Sequence, residues 1–284
     1  MTTAVAAPFR FFSLRVVRTR RLGPSLVRVT FAGADLHAFH SDGRDQSLSL
    51  FLPHPGQSDP VVPLELGDGW WQGWRELPDD VRAVMRSYTL RALRRDADGG
   101  TREIDVDFAL HGVEPGAAVP AGPASRWASR ATAGDRVLLL GPAVADNRAI
   151  RFRPPGDTDL VVLWGDATAA PAATAILESL PAGTRARAWL EVPHAGDIQD
   201  VVTRADAELT WLVRHDSSPM AVDAVRAARL PLAERPYVWI AGESGQVKAL
   251  RRHFVGERGI DRRRVTFVGY WRQGLTEEQL RAAE

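Results

Sequence analysis

The chain has 284 residues, 45% apolar and 25% charged, with 36 basic and 35 acidic side chains and a net charge of +1. That composition excludes wholesale disorder, and the balance of charge argues against a general nucleic-acid binder, which carries a basic excess. Cysteine is absent, which excludes disulfides, thiolate metal sites, cysteine-held iron–sulfur clusters and a cysteine nucleophile.

The length suits two domains of modest size. Among the basic residues only Lys248 is a lysine. No apolar run approaches the roughly 18 residues that a membrane span needs. Arg10 interrupts the N-terminal apolar stretch early. The expectation is therefore no signal peptide and a cytoplasmic protein.

The first half reads as short strands separated by turns. Phe11 to Arg18 and Leu26 to Phe31 are apolar and β-branched, with Gly23-Pro24 as the turn between them. Ser47 to Leu52 is a strand ending at Pro53. Val62 to Asp80 is irregular and holds Trp70, Trp71 and Trp74; a packed surface loop is favoured over a ligand-contacting one. Met85 to Leu93, Ile104 to Leu110 and Val137 to Leu140 are further strands. Asp105, Asp107 and Ala109 alternate with Ile104, Val106, Phe108 and Leu110, a period of two. Several antiparallel strands at short spacing predict a small β-barrel over residues 1–152.

Arg153 to Thr158, with Pro154-Pro155-Gly156, reads as a linker. The pattern then changes. Leu160 to Trp164 is a continuous apolar run, as in a strand buried on both faces. The turn Gly165-Asp166 and an alanine-rich helix to Leu180 follow. Arg187 to Val192, Leu209 to Val213, Tyr237 to Ala241 and Val265 to Tyr270 are strands. Gly242 opens a helix from Gln246 to Arg258, and Thr276 caps a terminal helix with Glu277 and Glu278 in its first turn. Strands alternating with helices predict an α/β domain with a parallel sheet over 158–284, of the nucleotide-binding type.

Three segments carry candidate chemistry. In Arg86-Ser87-Tyr88-Thr89-Leu90-Arg91, alternation puts Arg86, Tyr88 and Leu90 on one face and Ser87, Thr89 and Arg91 on the other. An arginine can clamp a diphosphate, a tyrosine ring can stack on a flavin and a threonine hydroxyl can bond a ring nitrogen; an exposed strand with two surface arginines is the plain alternative. His111-Gly112 closes a strand, where a histidine is more often structural than catalytic. Gly122-Pro123-Ala124-Ser125-Arg126-Trp127-Ala128 turns into a short helix whose free N–H groups suit phosphate, or which is an ordinary capped helix.

These segments, with Asp105 to Gly112, resemble the siderophore-interacting protein family of flavin-dependent ferric reductases, within the ferredoxin reductase-like superfamily. Gly165 to Pro171, Ala241 to Ser244 and Gly269 to Gly274 resemble the family's C-terminal motifs, in its order and spacing. The resemblance implies FAD bound in the cleft between barrel and α/β domain. It places Arg86, Ser87, Tyr88, Thr89 and Arg91 on the isoalloxazine ring and diphosphate, with Asp107 and His111 at the flavin. Gly122, Ala124 and Ser125 match a phosphate cradle with Trp127 nearby, and Asp166, Thr168 and Ala169 match a loop near the adenine end. Gly242, Glu243 and Ser244 match the approach of a nicotinamide nucleotide. The chain departs from the pattern at Ala167, where a glutamate is expected, and at Gln46-Ser47, where a histidine often follows; the Trp70-Trp71 loop has no clear counterpart.

A flavin accepts a hydride and passes single electrons onward, so no nucleophile–histidine–acid arrangement is required. Ferric siderophores are often anionic, and a basic pocket attracts them. Lys248 and Arg272, and more weakly Arg251 one turn beyond Lys248, are the candidate substrate contacts. His37 and His40 lack the further ligands of a metal site, so no protein-bound metal is expected. The expected partner is a ferric siderophore, with NADH, NADPH or reduced ferredoxin as electron donor and a monomer as the expected state. The alternatives are a flavin reductase for another acceptor, or a non-enzymatic ferric-chelate-binding protein.

Overall fold

The computed structural model describes residues 7–113, 116, 120–214, 221–275 and 279. It divides into two compact units, one of residues 1–21, 26–42 and 46–149 and one of residues 22–25, 43–45 and 150–284.

The first unit is one curled antiparallel sheet. Its strands are β1 (Phe9–Gly23), β2 (Leu26–Ala32), β3 (Ser47–Leu52), β4 (Val84–Thr89), β5 (Ala92–Arg95), β6 (Thr101–Ala109) and β7 (Arg136–Pro142). They lie in the order β4-β3-β7-β1-β2-β6-β5. The ladders β1/β7, β2/β6, β3/β4, β3/β7 and β5/β6 are all antiparallel. The two edge strands, β4 and β5, are separated in sequence by Leu90 and Arg91 alone. The sheet must therefore curl until its edges nearly meet. This splits the single strand expected over Met85 to Leu93. Leu90 N–H donates to Gln46 O, and Arg91 N–H donates to Asp105 O on β6. No glycine or proline marks the break; curling of the whole sheet imposes it.

Alternation sorts side chains onto two faces. Phe12, Leu14, Val29, Phe31, Leu48, Leu50, Val106, Phe108, Val137 and Leu139 fill the interior. Their neighbours Phe11, Phe51, Leu138 and Leu140 face outward and are covered by Trp70, Trp74, Ala83 and Met85. The tryptophan segment thus covers the outer face, through helix α1 (Trp70–Glu76) where an irregular loop was expected. Trp74 Nε1–H donates to Ala83 O at 3.1 Å, and Trp70 meets Phe11 edge-on at 4.9 Å.

The acidic face of β6 is buried rather than solvated. Arg18 and Arg94 converge on Glu103, and Arg94 and Thr30 on Asp105. Hydrogen bonds from Arg18, then Arg94, outweigh burial and hold the Glu103 carboxyl at about 2, against an ordinary 4.5. For Asp105 burial acts most strongly and upward, but the bonds from Arg94 and Thr30 with the arginine charges leave it lowered. A depressed folded pKa contributes stability above the unfolded value that is lost as pH falls through the folded one. Between pH 4.5 and about 2 the thermal midpoint is therefore expected to fall. Glu103→Gln should flatten that slope in a pH series of melts; equal slopes in both proteins would exclude this carboxylate as its source.

The second unit is a parallel sheet of β8 (Leu160–Gly165), β9 (Arg185–Val192), β10 (Asp206–Val213), β11 (Pro236–Glu243) and β12 (Val265–Trp271), ordered β10-β9-β8-β11-β12. Val161 and Leu163 pack on the side of helix α3 (Ala170–Ser179). Leu160, Val162 and Trp164 pack on the side of α4 (Ala221–Ala227) and α5 (Ser244–Arg252). The six-residue helix of the first unit, Pro123–Ala128, is α2; α4 was not legible as a helix. The helix expected to reach Arg258 leaves α geometry at His253 and runs on as a π turn to Glu257. The expected terminal helix at Thr276, Glu277 and Glu278 lies outside the described residues.

Two short segments from the N-terminal half are built into this unit. Asp45 accepts from the Phe152 N–H at 2.9 Å and from Trp239 Nε1–H at 2.9 Å. Ser25 N–H donates to Asp197 at 2.7 Å, and a Cβ at Gly23 would collide with the same carboxylate. Ile150 and Phe152, ahead of the expected linker, are buried residues of this unit.

Candidate functional site

In the first unit the site grows from β4. Its ladder sets Tyr88 opposite Leu48 and Arg86 opposite Leu50, so both lie on the interior side of the sheet. Tyr88 is half-buried, with its ring centroid 4.3 Å from that of Phe108. Phe108 lies 5.7 Å from Trp127, which stacks on Phe31 at 6.3 Å. The result is an aromatic wall with two partly open rings, Tyr88 and Trp127. Arg86 Nη1 donates to Met85 O at 2.8 Å. Ser87 is exposed opposite Ser49 and Thr89 is buried opposite Ser47.

Beside the β4–β5 connection, Asp107 is shared by two arginines. Arg28, its cross-strand partner, donates through Nε and Nη2 at 2.6 and 2.7 Å. Arg91 Nε lies 3.8 Å from Oδ2, the oxygen that also accepts from Arg28 Nη2. Two guanidinium groups thus gather at one carboxylate in a largely buried place. Asp107 thus positions the arginines through its own ion pairs. Arg28 was missed in the sequence because it carries no motif; only its register opposite Asp107 marks it.

The helix α2 follows Gly122, where an added Cβ would meet nothing within 4 Å. Its start is therefore open to approach at that point. Ser125 accepts from the exposed His111's backbone N–H at 3.3 Å and its hydroxyl donates to Ala109 O at 3.4 Å, tying α2 to the end of β6. Ala124 and Ser125 stand in the first turn, where N–H groups lack intrahelical partners. A partly open aromatic ring, two neighbouring guanidinium groups and an open helix start match a flat aromatic group carrying an anionic tail. The residues therefore fit the flavin and diphosphate of FAD.

In the second unit the loop after β8 is organised by one buried carboxylate. Asp166 Oδ1 accepts from Thr168 N–H at 2.9 Å, Thr168 Oγ1–H at 2.6 Å and Ala169 N–H at 3.3 Å. Its Oδ2 accepts from Glu243 N–H at 2.8 Å and Trp271 Nε1–H at 2.7 Å. One side chain thus joins the ends of β8, β11 and β12. Gly242, at φ +140, passes so close that a Cβ would sit 2.6 Å from the Asp166 carboxylate. Glu243 Oε2 accepts from Gly245 and Gln246 N–H at 2.6 and 2.9 Å. Ser244 Oγ–H donates to Trp271 O at 2.9 Å. Asp166, Glu243 and Ser244 therefore all spend their polar atoms inside the fold. Trp271 was not singled out beforehand; its indole donor matters only once β12 lies beside β11.

The basic candidates are placed differently. Arg251 lies over the Phe267 ring at 4.5 Å, pinning α5 to β12. Lys248 and Arg272 are exposed. Neither forms a side-chain hydrogen bond or ion pair among the described residues. They are cations open to an anionic ligand.

Two family models match the chain: a siderophore-interacting FAD-binding domain over residues 15–146 and siderophore-interacting protein over residues 158–274. The ferric vibriobactin reductase ViuB of Vibrio cholerae is 30% identical over 268 residues, covering 93% of this chain and 90% of its own length. An NADPH-dependent ferric-chelate reductase of Escherichia coli is 30% identical over 267 residues, covering 92% and 93%. The crystal structure of the siderophore-interacting protein SipS from Aeromonas hydrophila superposes with a TM-score of 0.72 at 33% identity, covering 97% of this chain and 96% of that one.

Proposed function

The chain belongs to the siderophore-interacting protein family, and from that premise we propose that it reduces ferric siderophores with FAD held on the first unit by the residues around Tyr88 and Arg91. It is a flavin-dependent oxidoreductase. The observation that carries the reading is the shared Asp107, which gathers the guanidinium groups of Arg28 and Arg91 close in sequence to a partly open tyrosine ring. FAD, when bound, supplies the redox chemistry, taking up two electrons and releasing them singly.

The chain's own residues bind and orient. The Tyr88 ring offers a stacking face. Arg91, and Arg86 from the strand before it, meet the diphosphate with charge-assisted hydrogen bonds, together with the first N–H groups of α2. Lys248 and Arg272 draw in the anionic chelate. Ferric iron favours hard oxygen ligands, and reduction weakens that hold. The name of the Escherichia coli relative supports a nicotinamide nucleotide as electron donor over ferredoxin. The reading extends to a monomer, since each unit closes its own core, and to the cytoplasm, a reducing compartment suited to a chain without cysteine.

The test is the visible spectrum of purified, untagged protein, with its released cofactor identified chromatographically, followed by reduction of a ferric chelate. A flavin spectrum, FAD on release and ferrous product are expected. A colourless protein that takes up no added FAD overturns the reading and leaves a chelate-binding protein in its place. Lys248→Ala and Arg272→Ala should each raise the KM for an anionic ferric chelate by about tenfold, or about 1.4 kcal/mol. Steady-state kinetics check this; an effect on kcat alone would remove both residues from chelate capture.

A further inference from the structure

The sheet order of the second unit reverses between β8 and β11. Open α/β sheets hold nucleotides outside the carboxyl ends of the strands at such a point, with phosphates on helix N-termini. The helices that start there are α3, after β8, and α5, after β11. Both starts already hold a carboxylate from the chain itself. Asp166 takes the N–H groups of Thr168 and Ala169 ahead of α3. Glu243 takes those of Gly245 and Gln246 at the start of α5. The two acids are linked, since Glu243 N–H donates to Asp166 Oδ2 at 2.8 Å. The second Glu243 oxygen lies 3.4 Å from Gln273 N–H, beyond β12. Gly242, the residue of β11 just before the cap, is packed onto Asp166 and leaves no gap for a phosphate there.

We infer that the carboxyl edge of this sheet is closed to the diphosphate of a nicotinamide dinucleotide, and that Glu243 is the residue that closes it at α5. A diphosphate arriving at α5 would have to expel one carboxylate and rest beside another, with the N–H donors already spent. The residues Gly242, Glu243 and Ser244 therefore do not form a phosphate cradle. A nicotinamide donor meets this protein without one at this edge, through its nicotinamide end and at high working concentration. This rests on the family reading only for the identity of the donor; the closure itself rests on the hydrogen bonds.

The experiment is calorimetric titration of FAD-loaded full-length protein with ADP-ribose and with NADP⁺. The unaltered protein should show no saturable binding below the millimolar range. Glu243→Ala, which frees two N–H groups and removes a charge, should bind ADP-ribose at least tenfold more tightly than the unaltered protein. Glu243→Gln, which keeps a capping oxygen and loses only the charge, should gain less and guards against misfolding of the alanine variant. Micromolar binding by the unaltered protein, or no gain in either variant, overturns the inference. Failure of the protein to take up FAD at all would instead overturn the family reading, and is seen in the spectrum before any titration.

Discussion

Arg91→Ala protein is expected to purify nearly free of FAD, with its affinity for added FAD lower by roughly 100-fold. A charge-assisted hydrogen bond to an anion contributes about 1.5–3 kcal/mol, and each 1.4 kcal/mol is tenfold. Arg28 and Arg91 share Asp107; Arg91→Ala removes one of these two guanidinium groups from the place proposed for the diphosphate. Arg91→Lys keeps the charge but loses the planar fork, and should fall between the two. Flavin absorbance on titration reads both. Unchanged FAD affinity in Arg91→Ala would exclude this arginine from the cofactor site.

Asp166→Ala is expected to destabilise the second unit by about 3–5 kcal/mol. The Asp166 carboxylate accepts five hydrogen bonds from the ends of three strands. Its loss leaves several buried donors unsatisfied, at roughly 1–3 kcal/mol each before water or local movement relieves some. On the usual scaling for a unit of this size, the melting transition should fall by about 10 °C. Asp166→Asn retains one acceptor but turns an amide toward existing donors, so it too should destabilise, by less. Differential scanning calorimetry of the FAD-loaded protein measures this. A midpoint within 2 °C or so of the unaltered protein would mean that Asp166 does not anchor the strand ends.

Much of the fold was legible because burial leaves a period in the sequence. The run Leu160 to Trp164 is apolar throughout because both its faces are covered. The alternation of β6 marked a strand, although its acidic face is buried in ion pairs rather than solvated. Periodicity reports which way a side chain points, and it is silent on whether a neighbouring strand supplies a counter-charge. The Trp70 segment shows the converse. Its tryptophans suggested packing, yet nothing nearby in the chain identified their partners, Phe11, Phe51 and Leu138 on three separate strands.

The sequence by itself determined the two-part architecture, the family motifs and the segment that carries Arg86, Tyr88 and Arg91, because strand periodicity, turns and short motifs are local properties. Only the tertiary structure decided where the charges are spent. Strand order sets Arg28 opposite Asp107, drives a turn into the expected strand at Leu90 and Arg91, and gathers Asp166, Glu243 and Trp271 at one edge of a parallel sheet. These partners lie far apart in the chain, so spacing carries no trace of them. Lys248 and Arg272 emerge as exposed cations, while Glu243, which the resemblance placed at a nucleotide, is turned to capping its own helix.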